Sequence, residues 1–582
     1  MLTDDQLLNH LRQKLDNYRN HRHKNYDEKF IEAYRLYKTY RDHKLHLWQT
    51  NIFLPYVFSM IETVLPRVVM YLWQGDTLVK AHPRGFEDIP DAEVVDNLMQ
   101  WQIDTQIPNM FLESVEFLKS CLIHGTGLAK LTWNVYKDHP EFINLDVFDF
   151  YPQPFKKYIS EMDGLFHIFD MPLDMLQRRM RFNQGYQNID KLRNTSMTSI
   201  DESSKKERDA EVGKIQNYET GRAMCLIYQY WGKLPVQETI YVNSPGLSYD
   251  TEKEFLVEIG NRNHIIRRVP NPYINGIKPF IAAKDYIDLN EFYGIGEITP
   301  IKDLQIEGNE LENNIMDDLK IRINQMWKVS TTAGIDLANL MSYPGNVILA
   351  DDINGIQELR HSDIPTSAFK QQENIPQQIG NAAGVHDYSK GANAPGMTDT
   401  VGGINSLIEE ANQRFAFKIK ILQMSAIKEI ATTLFILDKQ FIKGIEIPVR
   451  LEGGRGQRWM MIQPDNLKGM YDFKPVSVAL VGNRLAKQNT MLRLLEVLAK
   501  APPIPSVIEG MLEQFEIPNK EQVMDDLYRL WGIPRPGEGQ GMPMSGGGAP
   551  SSPSQAVPMP PPEMSEAQAQ QNMARLIAGG MR

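Results

Sequence analysis

The sequence predicts an α+β fold in which helices come first, a mixed sheet follows, and two long helices precede a return to strands. From Leu128 onward, apolar and polar residues alternate through LAKLTWNVY and FINLDVFDFYP, a pattern typical of strands. Apolar residues at steps of three and four run through Pro300–Trp327 and again through Ile404–Phe441, which indicates long helices. Between these helices, Val385–Gly403 (VHDYSKGANAPGMTDTVGG) is rich in Gly, Ala and Asn and predicts a mobile loop.

Composition narrows the classes of function. The 582 residues are 42% hydrophobic and 23% charged, and 62 Lys and Arg against 73 Asp and Glu give a formal charge of -11. This balance argues against a protein that grips nucleic acid over its whole surface, but not against one past which nucleic acid slides. Cys121 and Cys225 are too few for a disulfide framework or a zinc cluster, and they predict buried thiols in a reducing compartment.

The N-terminal part is predicted to be mainly helical after a loose start. Met1–Asn20 is polar, so we expect neither regular structure nor a signal peptide. Asn20–Lys24 (NHRHK) predicts a solvated charged turn, with a metal site at His21 and His23 as the alternative. Tyr26–Leu47 has the pattern of a charged amphipathic helix.

Asn51–Trp73 approaches the length of a membrane-spanning helix. It contains Glu62 and Arg67, and each charge would cost about 2.5 kcal/mol or more at bilayer depth. With Pro55 and Pro66 also present, the stretch predicts a buried helix of a globular protein rather than a membrane segment.

Two helices are expected next, Asp91–Gln106 and Asn109–His124, the second stopped by Gly125 and Gly127. His124 is predicted to favour the dipole at that helix end.

The sheet region carries two polar stretches. Asp146 and Asp149 resemble an acidic metal site, but without a further ligand at suitable spacing they predict a strand that runs into a turn. Asn194–Gly213 offers almost nothing to bury and predicts a disordered loop. One helix and four further strands are expected, at Pro172–Phe182, Ala223–Trp231, Glu238–Val242, Glu254–Ile259 and His264–Arg268.

The first long helix is predicted to begin with Thr299 as cap and Pro300 at its first position. Its apolar stripe is narrow and its other faces are acidic and amide-rich, so we expect it to pack beside similar helices, which neighbouring subunits could supply. The stripe comprises Ile301, Leu304, Gly308, Leu311, Ile315, Leu319, Ile323 and Met326.

Beyond this helix, Lys328–Leu359 predicts a compact insert with strands at KVSTT and NVILA. Gln371–Gly384 predicts a shorter helix broken near Pro376. After the loop and the second long helix, strands in Gly444–Val481 are expected to rejoin the first domain, and Arg484–Trp531 reads as three helices.

Signatures of catalysis are missing from the sequence. Gly380–Lys390 does not follow the order of a phosphate-binding loop, and Gly294 and Gly296 form only a fragment of a dinucleotide fingerprint. No cofactor, metal or catalytic residue is therefore predicted.

In this order of elements the chain resembles the portal proteins of tailed bacteriophages. Four stretches carry the resemblance: NIFLPYVFSMIETVLPRV, CLIHGTGLAKLTWN, YGIGEITPIKDLQIEGNELENNIMDDL and APGMTDTVGGINSLIEEANQRF. The resemblance implies a non-enzymatic ring, usually of twelve subunits, at one vertex of the capsid. Double-stranded DNA would be packaged and ejected through its channel.

The resemblance also implies a portal fold with named parts. Its expected segments are a helical then sheet wing (1–285), a stem helix (286–327), a β-containing clip (328–362), a second stem helix (363–384), a tunnel loop (385–403), a long kinked helix (404–442), wing return strands (443–482), a helical crown (483–531) and a Gly- and Pro-rich tail (532–582).

Site residues and partners follow from the same resemblance. Ser389, Lys390, Asn393 and Thr398 are expected to face DNA in the tunnel loop, with Lys390 as a sparse positive belt or, alternatively, an ordinary solvated lysine. The clip residues Lys328, Ser342, Tyr343 and Asn354 are expected to meet the terminase packaging motor and later the tail adaptors. Capsid and scaffolding proteins, but no membrane, are the other expected partners, in a virion assembled in the cytoplasm of a bacterial host.

Two other readings and one further expectation remain. The sequence could belong to a head-tail adaptor ring, or to a nuclease or ATPase subunit, which the missing phosphate loop and carboxylate cluster disfavour. Lys418 and Lys420 are expected to be able to pair with a neighbouring subunit.

Overall fold

The computed structural model shows an α+β protein. It describes residues 3–41, 46, 48–73, 78–181, 185–192, 207–209, 224–240, 247–323, 326–331, 356–358, 363–384, 413–450 and 457–476. Nearly all of them belong to one compact unit formed by 1–447 and 460–478.

The chain begins with a helix, contrary to the expected loose start. Helix α1 (Asp4–Arg22) opens with a capping box at Thr3 and buries Leu7, Leu11 and Leu15 against the sheet. These leucines recur at steps of four, so the polar average of the segment hid a continuous apolar line.

The predicted charged turn is also helical. A π-turn (His23–Asp27) joins α1 to α2 (Glu28–Tyr37), so the helix predicted to reach Leu47 ends earlier. Buried Arg22 accounts for the π-turn. Its side chain pairs with Asp27, at the end of the π-turn, at 2.8 Å and donates to the carbonyl oxygens of Val147, Phe148 and Phe150.

Helices continue close to the predicted positions. The buried stretch is helical only after Pro55, and Gly125 ends the last helix at φ +82° as expected. The elements are α3 (Tyr56–Trp73), β1 (Val79–Pro83), α4 (Ile89–Trp101), a π-turn (Gln102–Gln106) and α5 (Met110–His124).

His124 does not act as a cation at the end of α5. Its side chain is buried beside Phe30 and Phe148, and burial lowers its pKa to about 4, with Arg208 lowering it further and Asp146 opposing. The imidazole is therefore neutral near pH 7 and offers no charge to the helix dipole.

Two antiparallel sheets form the centre of the unit. The three-stranded sheet has the order β3-β2-β9 and the five-stranded sheet the order β4-β5-β6-β7-β8. Their strands are β2 (Thr126–Asn134), β3 (His139–Leu145), β4 (Phe150–Tyr151), β5 (Gly164–Pro172), β6 (Met224–Ile240), β7 (Leu247–Gly260), β8 (His264–Pro270) and β9 (Phe280–Lys284).

The sheet corrects one prediction: Glu238–Val242 does not start a separate strand. Residues up to Ile240 continue β6, which pairs with β7 from Ile227 to Ile240. Helix α6 (Leu173–Arg181) and a short helix α7 (Ile189–Leu192) lie beside this sheet. Cys121 and Cys225 are both buried, as predicted.

The predicted disordered loop contributes two buried charged residues, Arg208 and Asp209, which pair with each other. Asp146 caps a short turn by accepting from the Phe148 amide, and it pairs with Arg208 at 2.6 Å. Arg208 and Asp209 are both buried, although the surrounding stretch looked wholly solvated. The rest of Asn194–Gly213 lies outside the described residues.

The remaining elements come from the second half of the chain. As predicted, a late strand rejoins the first part, because β14 pairs antiparallel with β1. The elements are α8 (Lys302–Ile323), β10 (Trp327–Val329), β11 (Ile356–Glu358), α9 (Thr366–Ala383), a helical run 413–422 continued by a π-turn (Gln423–Ile427) and α10 (Lys428–Phe441), then β12 (Ile445–Arg450), β13 (Gln457–Ile462) and β14 (Tyr471–Pro475).

Several predictions about these helices need correction. Thr299 makes no capping bond, since α8 is entered through a 3₁₀ turn (Thr299–Ile301) that contains Pro300. Helix α8 stops before Trp327, which lies instead in β10 and pairs with Glu358. Helix α9 continues through Pro376 because it buries Ile375 and Ile379 on either side.

Candidate functional site

Two of the sequence stretches that carry the family resemblance meet at a glycine contact. A Cβ atom on Gly125 would lie 2.2 Å from the carbonyl oxygen of Gly294, and one on Gly296 would lie 2.6 Å from that of Ile123. The backbone is hydrogen-bonded across the contact, with Asp285 N donating to Gly125 O at 3.1 Å and Glu297 N to Leu122 O at 2.9 Å. Gly294 and Gly296 therefore serve close packing of the segment that enters α8, rather than nucleotide binding.

A ladder of polar side chains fixes α8 to residues 50–57, a segment that runs into the first turn of α3. Four residues at steps of four along α8 accept hydrogen bonds from backbone amides of that segment: Asp317 from Thr50 (2.5 Å), Asn313 from Ile52 (2.7 Å), Asn309 from Leu54 (2.8 Å) and Gln305 from Val57 (3.0 Å). Four residues of a helix rise about 6 Å, and two residues of an extended chain span about 6.6 Å. Because these spacings are similar, Asp317, Asn313 and Asn309 stay in register with Thr50, Ile52 and Leu54.

The ladder widens the buried face of α8 beyond the predicted apolar stripe, of which Ile301 and Gly308 are buried. Gln305, Asn309 and Asn313 are buried, although they lie outside the predicted apolar stripe. Leu319 and Ile323, which belong to the predicted apolar stripe, are 45% and 68% exposed in the single chain. Amide side chains can take the place of a backbone carbonyl as hydrogen-bond partner of a backbone N–H group. A helix face that carries them can therefore be buried, which the apolar pattern alone does not predict.

Helix α9 packs along α8 by both apolar and amide contacts. Gly308 faces α9, since a Cβ there would lie in van der Waals contact with Ile375 at 3.4 Å. Gln371 donates to Glu307 at 2.9 Å, and Gln372 donates to Glu312. A partner for α8 is thus supplied by the same chain.

The structure also relates the two ends of the segment 385–412, which includes the predicted loop. Helix α9 ends at Gly384 in the left-handed conformation. Across the gap, Arg414 donates to the carbonyl oxygens of Asn381 (3.4 Å) and Ala382 (3.2 Å), the last turn of α9. A cation at this position also suits the negative end of the helix dipole.

One turn later, Lys418 is buried in an ion cluster with two carboxylates. Its ammonium lies 2.7 Å from Asp285 Oδ1, contacts Glu297, and sits 4.2 Å from the centre of the Tyr286 ring. The side chains are 5%, 0% and 1% exposed for Lys418, Asp285 and Glu297. Burial raises the pKa of Asp285 to about 6, while Lys418 opposes the rise. The expectation that Lys418 pairs with another subunit is wrong, because its partners lie in its own chain; Lys420 is exposed.

The far end of the long helix, the helical run 413–441, carries a second buried polar contact. Gln102, in the π-turn after α4, donates to Asp438 at 2.6 Å, and Asp438 is fully buried. Burial raises the pKa of Asp438 to about 8, partly offset by this hydrogen bond. The long helix is thus held near both ends by residues more than 100 positions away in sequence.

The structure describes one of the eight predicted site residues. Lys328 is exposed on β10, where it pairs with Gln357 of β11. The other clip residues, Ser342, Tyr343 and Asn354, and the loop residues Ser389, Lys390, Asn393 and Thr398 lie outside the described residues.

The important residues that sequence reasoning missed are Arg414, the partners of Lys418, and the ladder amides. The ladder had a readable signal, because Gln305, Asn309, Asn313 and Asp317 recur at steps of four on one helix face. The partners of Lys418 are more than 120 residues away and had no local signal.

Neither a membrane span nor a metal site emerges from the described part of the chain. None of its helices is long and apolar enough to cross a bilayer, and it contains no group of three His, Cys, Asp or Glu side chains placed to hold an ion.

Fold and site define a structural α+β protein in which a long helix pair and a further long helix are anchored to a sheet-containing body. Residues 134–578 match the model of the family described as Phage SU10 portal protein, and the chain belongs to that family. It is therefore a phage portal protein, a non-enzymatic structural protein of the virion. No curated protein matches the sequence.

Proposed function

We propose that the protein assembles into a ring of twelve subunits at one capsid vertex and forms the channel through which double-stranded DNA is packaged and ejected. Membership of the portal family, which implies an oligomeric ring with capsid and DNA, carries this proposal. The ring assembles in the cytoplasm of the bacterial host together with capsid and scaffolding proteins.

In the ring, 1–285 and 443–482 form the wing, 286–327 and 363–384 the stem, and 328–362 the clip. Residues 483–531 form the crown. The antiparallel contact of β10 with β11 supports a small β-containing clip, whose Lys328, Ser342, Tyr343 and Asn354 meet the terminase motor and the tail adaptors.

The charge of α8 suits a wall past which DNA slides. The helix carries six carboxylates and three cationic side chains, and two of the cations, Lys320 and Arg322, are paired with aspartates of the same helix. An acidic wall repels phosphates, whereas rings of unpaired lysine would retain DNA.

The segment 385–403 is the tunnel loop, and its chain ends support this assignment. Arg414 donates to the carbonyl oxygens of Asn381 and Ala382, so the described residues on either side of 385–412 lie close to one another. Ser389, Lys390, Asn393 and Thr398 then face the DNA.

Deletion of Ser389–Gly396 tests the assignment of the loop. We expect the ring to assemble with the same number of subunits, because the contacts that join α9 to the long helix are made by Asn381, Ala382 and Arg414, and we expect packaging or retention of DNA to fall. Failure of ring assembly would show that the loop is a structural joint instead. Normal packaging by an intact ring would show that it has no role in the channel.

A further inference from the structure

The buried cluster around Lys418 joins three parts of the chain. Lys418 belongs to the long helix, Asp285 directly follows β9, and Glu297 lies shortly before the 3₁₀ turn that enters α8. The backbone amides of both acidic residues donate to carbonyl oxygens around the end of α5, those of Gly125 and Leu122. The cluster therefore connects the long helix to the entry of α8 and to the end of α5.

The charges of this cluster do not balance. Lys418 supplies one positive charge for two carboxylates, whose side chains are almost fully buried. Its Nζ lies 2.7 Å from Asp285 Oδ1, whereas Asp285 Oδ2 is buried without a hydrogen-bond partner in the described part of the structure. A buried negative charge that lacks a partner is costly, so a carboxyl group in this setting holds a proton more readily than in water. Burial accordingly raises the pKa of Asp285 to about 6, although Lys418 opposes the rise.

The other titratable or charged groups that face the cluster, among the described residues, keep their charge in the acid range. Tyr286 lies against the ammonium and donates to Glu297 Oε2 at 3.4 Å; burial raises its pKa, Asp285 adds to the rise and the nearby Arg414 opposes it. The thiol of Cys121, on α5, has its pKa raised by burial and further by Asp285. A guanidinium stays charged at any pH used here. Titration below about pH 7 therefore concerns the carboxyl groups of the cluster.

We propose that Lys418, Asp285 and Glu297 form a proton-dependent joint between the long helix and the entry of α8. With one proton on its carboxyl groups the cluster is neutral and the joint is closed. Without that proton the buried site holds an excess negative charge, and the long helix separates from the turn more often. The joint lies within one chain and does not depend on ring formation, so it adds to the proposed channel protein a contact that acid tightens and neutral pH loosens.

The direction and size of the effect follow from the two states of Asp285. Its pKa is about 6 in the closed joint and returns towards the ordinary 3.8 when the joint opens to water. Between about pH 4 and pH 6 the closed state keeps a proton that the open state releases, so opening becomes easier as the pH rises through this range. From about pH 5 to about pH 7 the open form should become about tenfold more frequent.

Cys121 can report how often the joint opens. Its side chain is buried beside the cluster, so a thiol reagent reaches it only when this region opens. The rate of its reaction with an aromatic disulfide reagent is measured on the full-length protein across the pH range. Each rate is divided by that of the urea-unfolded protein at the same pH, which removes the intrinsic pH dependence of the thiol. Peptide mass spectrometry separates Cys121 from Cys225, which is buried on β6 and reports general unfolding.

Two variants remove the excess charge. D285N keeps the shape of a protonated carboxyl group, and E297Q does the same for the other carboxylate, so each leaves one cation paired with one anion. D303N is the matched control, because Asp303 is exposed in the first turn of α8. We expect the corrected rate at Cys121 to rise about tenfold from about pH 5 to about pH 7 in the wild type and in D303N, and to change less than about twofold in D285N and E297Q.

A flat wild-type profile at Cys121 would overturn the proposal, and so would the same rise in the wild type and both carboxylate variants. An equal rise at Cys225 would also overturn it, because the cluster would then govern the stability of the whole fold rather than a joint. If one carboxylate variant does not fold, the other decides, and if neither folds the wild-type profiles of the two cysteines decide. The mass of the assembly is measured separately, so absence of a ring rejects the proposed function while the labelling rates still test the joint.

Discussion

The polar ladder on α8 makes a quantitative prediction at Asn313. Its side chain accepts from Ile52 N at 2.7 Å and donates to Ile52 O at 2.9 Å and Asn309 O at 2.5 Å. It therefore acts as a strand partner for one residue of the segment before α3. Asn313→Ala removes all three hydrogen bonds and leaves the backbone amide of Ile52 without its partner, while the carbonyl oxygen of Ile52 still accepts from Arg41 at 2.6 Å.

The expected loss follows from the net value of neutral hydrogen bonds, about 1 kcal/mol each, which gives about 3 kcal/mol for the three. Alanine has a higher helix propensity than asparagine, which returns at most about 0.7 kcal/mol. We therefore expect Asn313→Ala to lower the free energy of unfolding by about 2 to 3 kcal/mol.

Asn314→Ala is the matched control, since Asn314 is the next residue of the same helix and is exposed. It has the same gain in helix propensity but no ladder contact. Both variants are compared with the wild type in urea titrations followed by far-UV circular dichroism. A difference between the two variants of less than about 0.5 kcal/mol would refute the ladder as a source of stability.

Three further predictions concern other buried contacts. Burial raises the pKa of Asp438 from 3.8 to about 8, so between about pH 4 and pH 8 the folded state holds a proton that the unfolded state releases. The contribution of Asp438 to stability therefore falls as the pH rises through this range. Asp438→Asn should flatten this part of the profile of thermal midpoint against pH, and an unchanged profile would contradict the raised pKa. Gly296→Ala should destabilise the protein by about 1 to 3 kcal/mol, because the added Cβ would meet backbone atoms at 2.6 and 2.9 Å. Gly85→Ala is the control, because its Cβ would meet only the side chain of Asp88, at 3.1 Å. Equal thermal midpoints for the two variants would argue against the glycine contact. Glu297→Gln should lower the thermal midpoint less than Lys418→Met, because it keeps the pair of Lys418 with Asp285, whereas Lys418→Met leaves two buried carboxylates without a cation. Equal midpoints for the two variants would argue against the ion cluster.

The order of most elements could be predicted from the sequence, because their signals are local. The apolar spacing of α3 and α5, the glycine after His124 and the alternation in β2 each lie within one element. The α1 leucines show the limit of judging a segment by its mean polarity, since Leu7, Leu11 and Leu15 form a buried line within a mainly polar stretch.

The packing of the helices and strands against one another was harder to predict from the sequence. Buried Arg22, Lys418 and Asn313 all looked like surface residues, because polar side chains are buried only where distant partners satisfy them. Apart from Asp27, which pairs with Arg22, the partners of Arg22 and Lys418 lie more than 100 residues away, so no spacing rule could find them. Pro376 misled in a similar way, since tertiary burial of α9 outweighs the local cost of proline.

The mass of the purified assembly tests the central claim most directly. The account predicts a closed ring of twelve copies of the 66.7 kDa chain, measured by native mass spectrometry or light scattering in conditions that keep it folded. A protein that stays monomeric in every condition would contradict it.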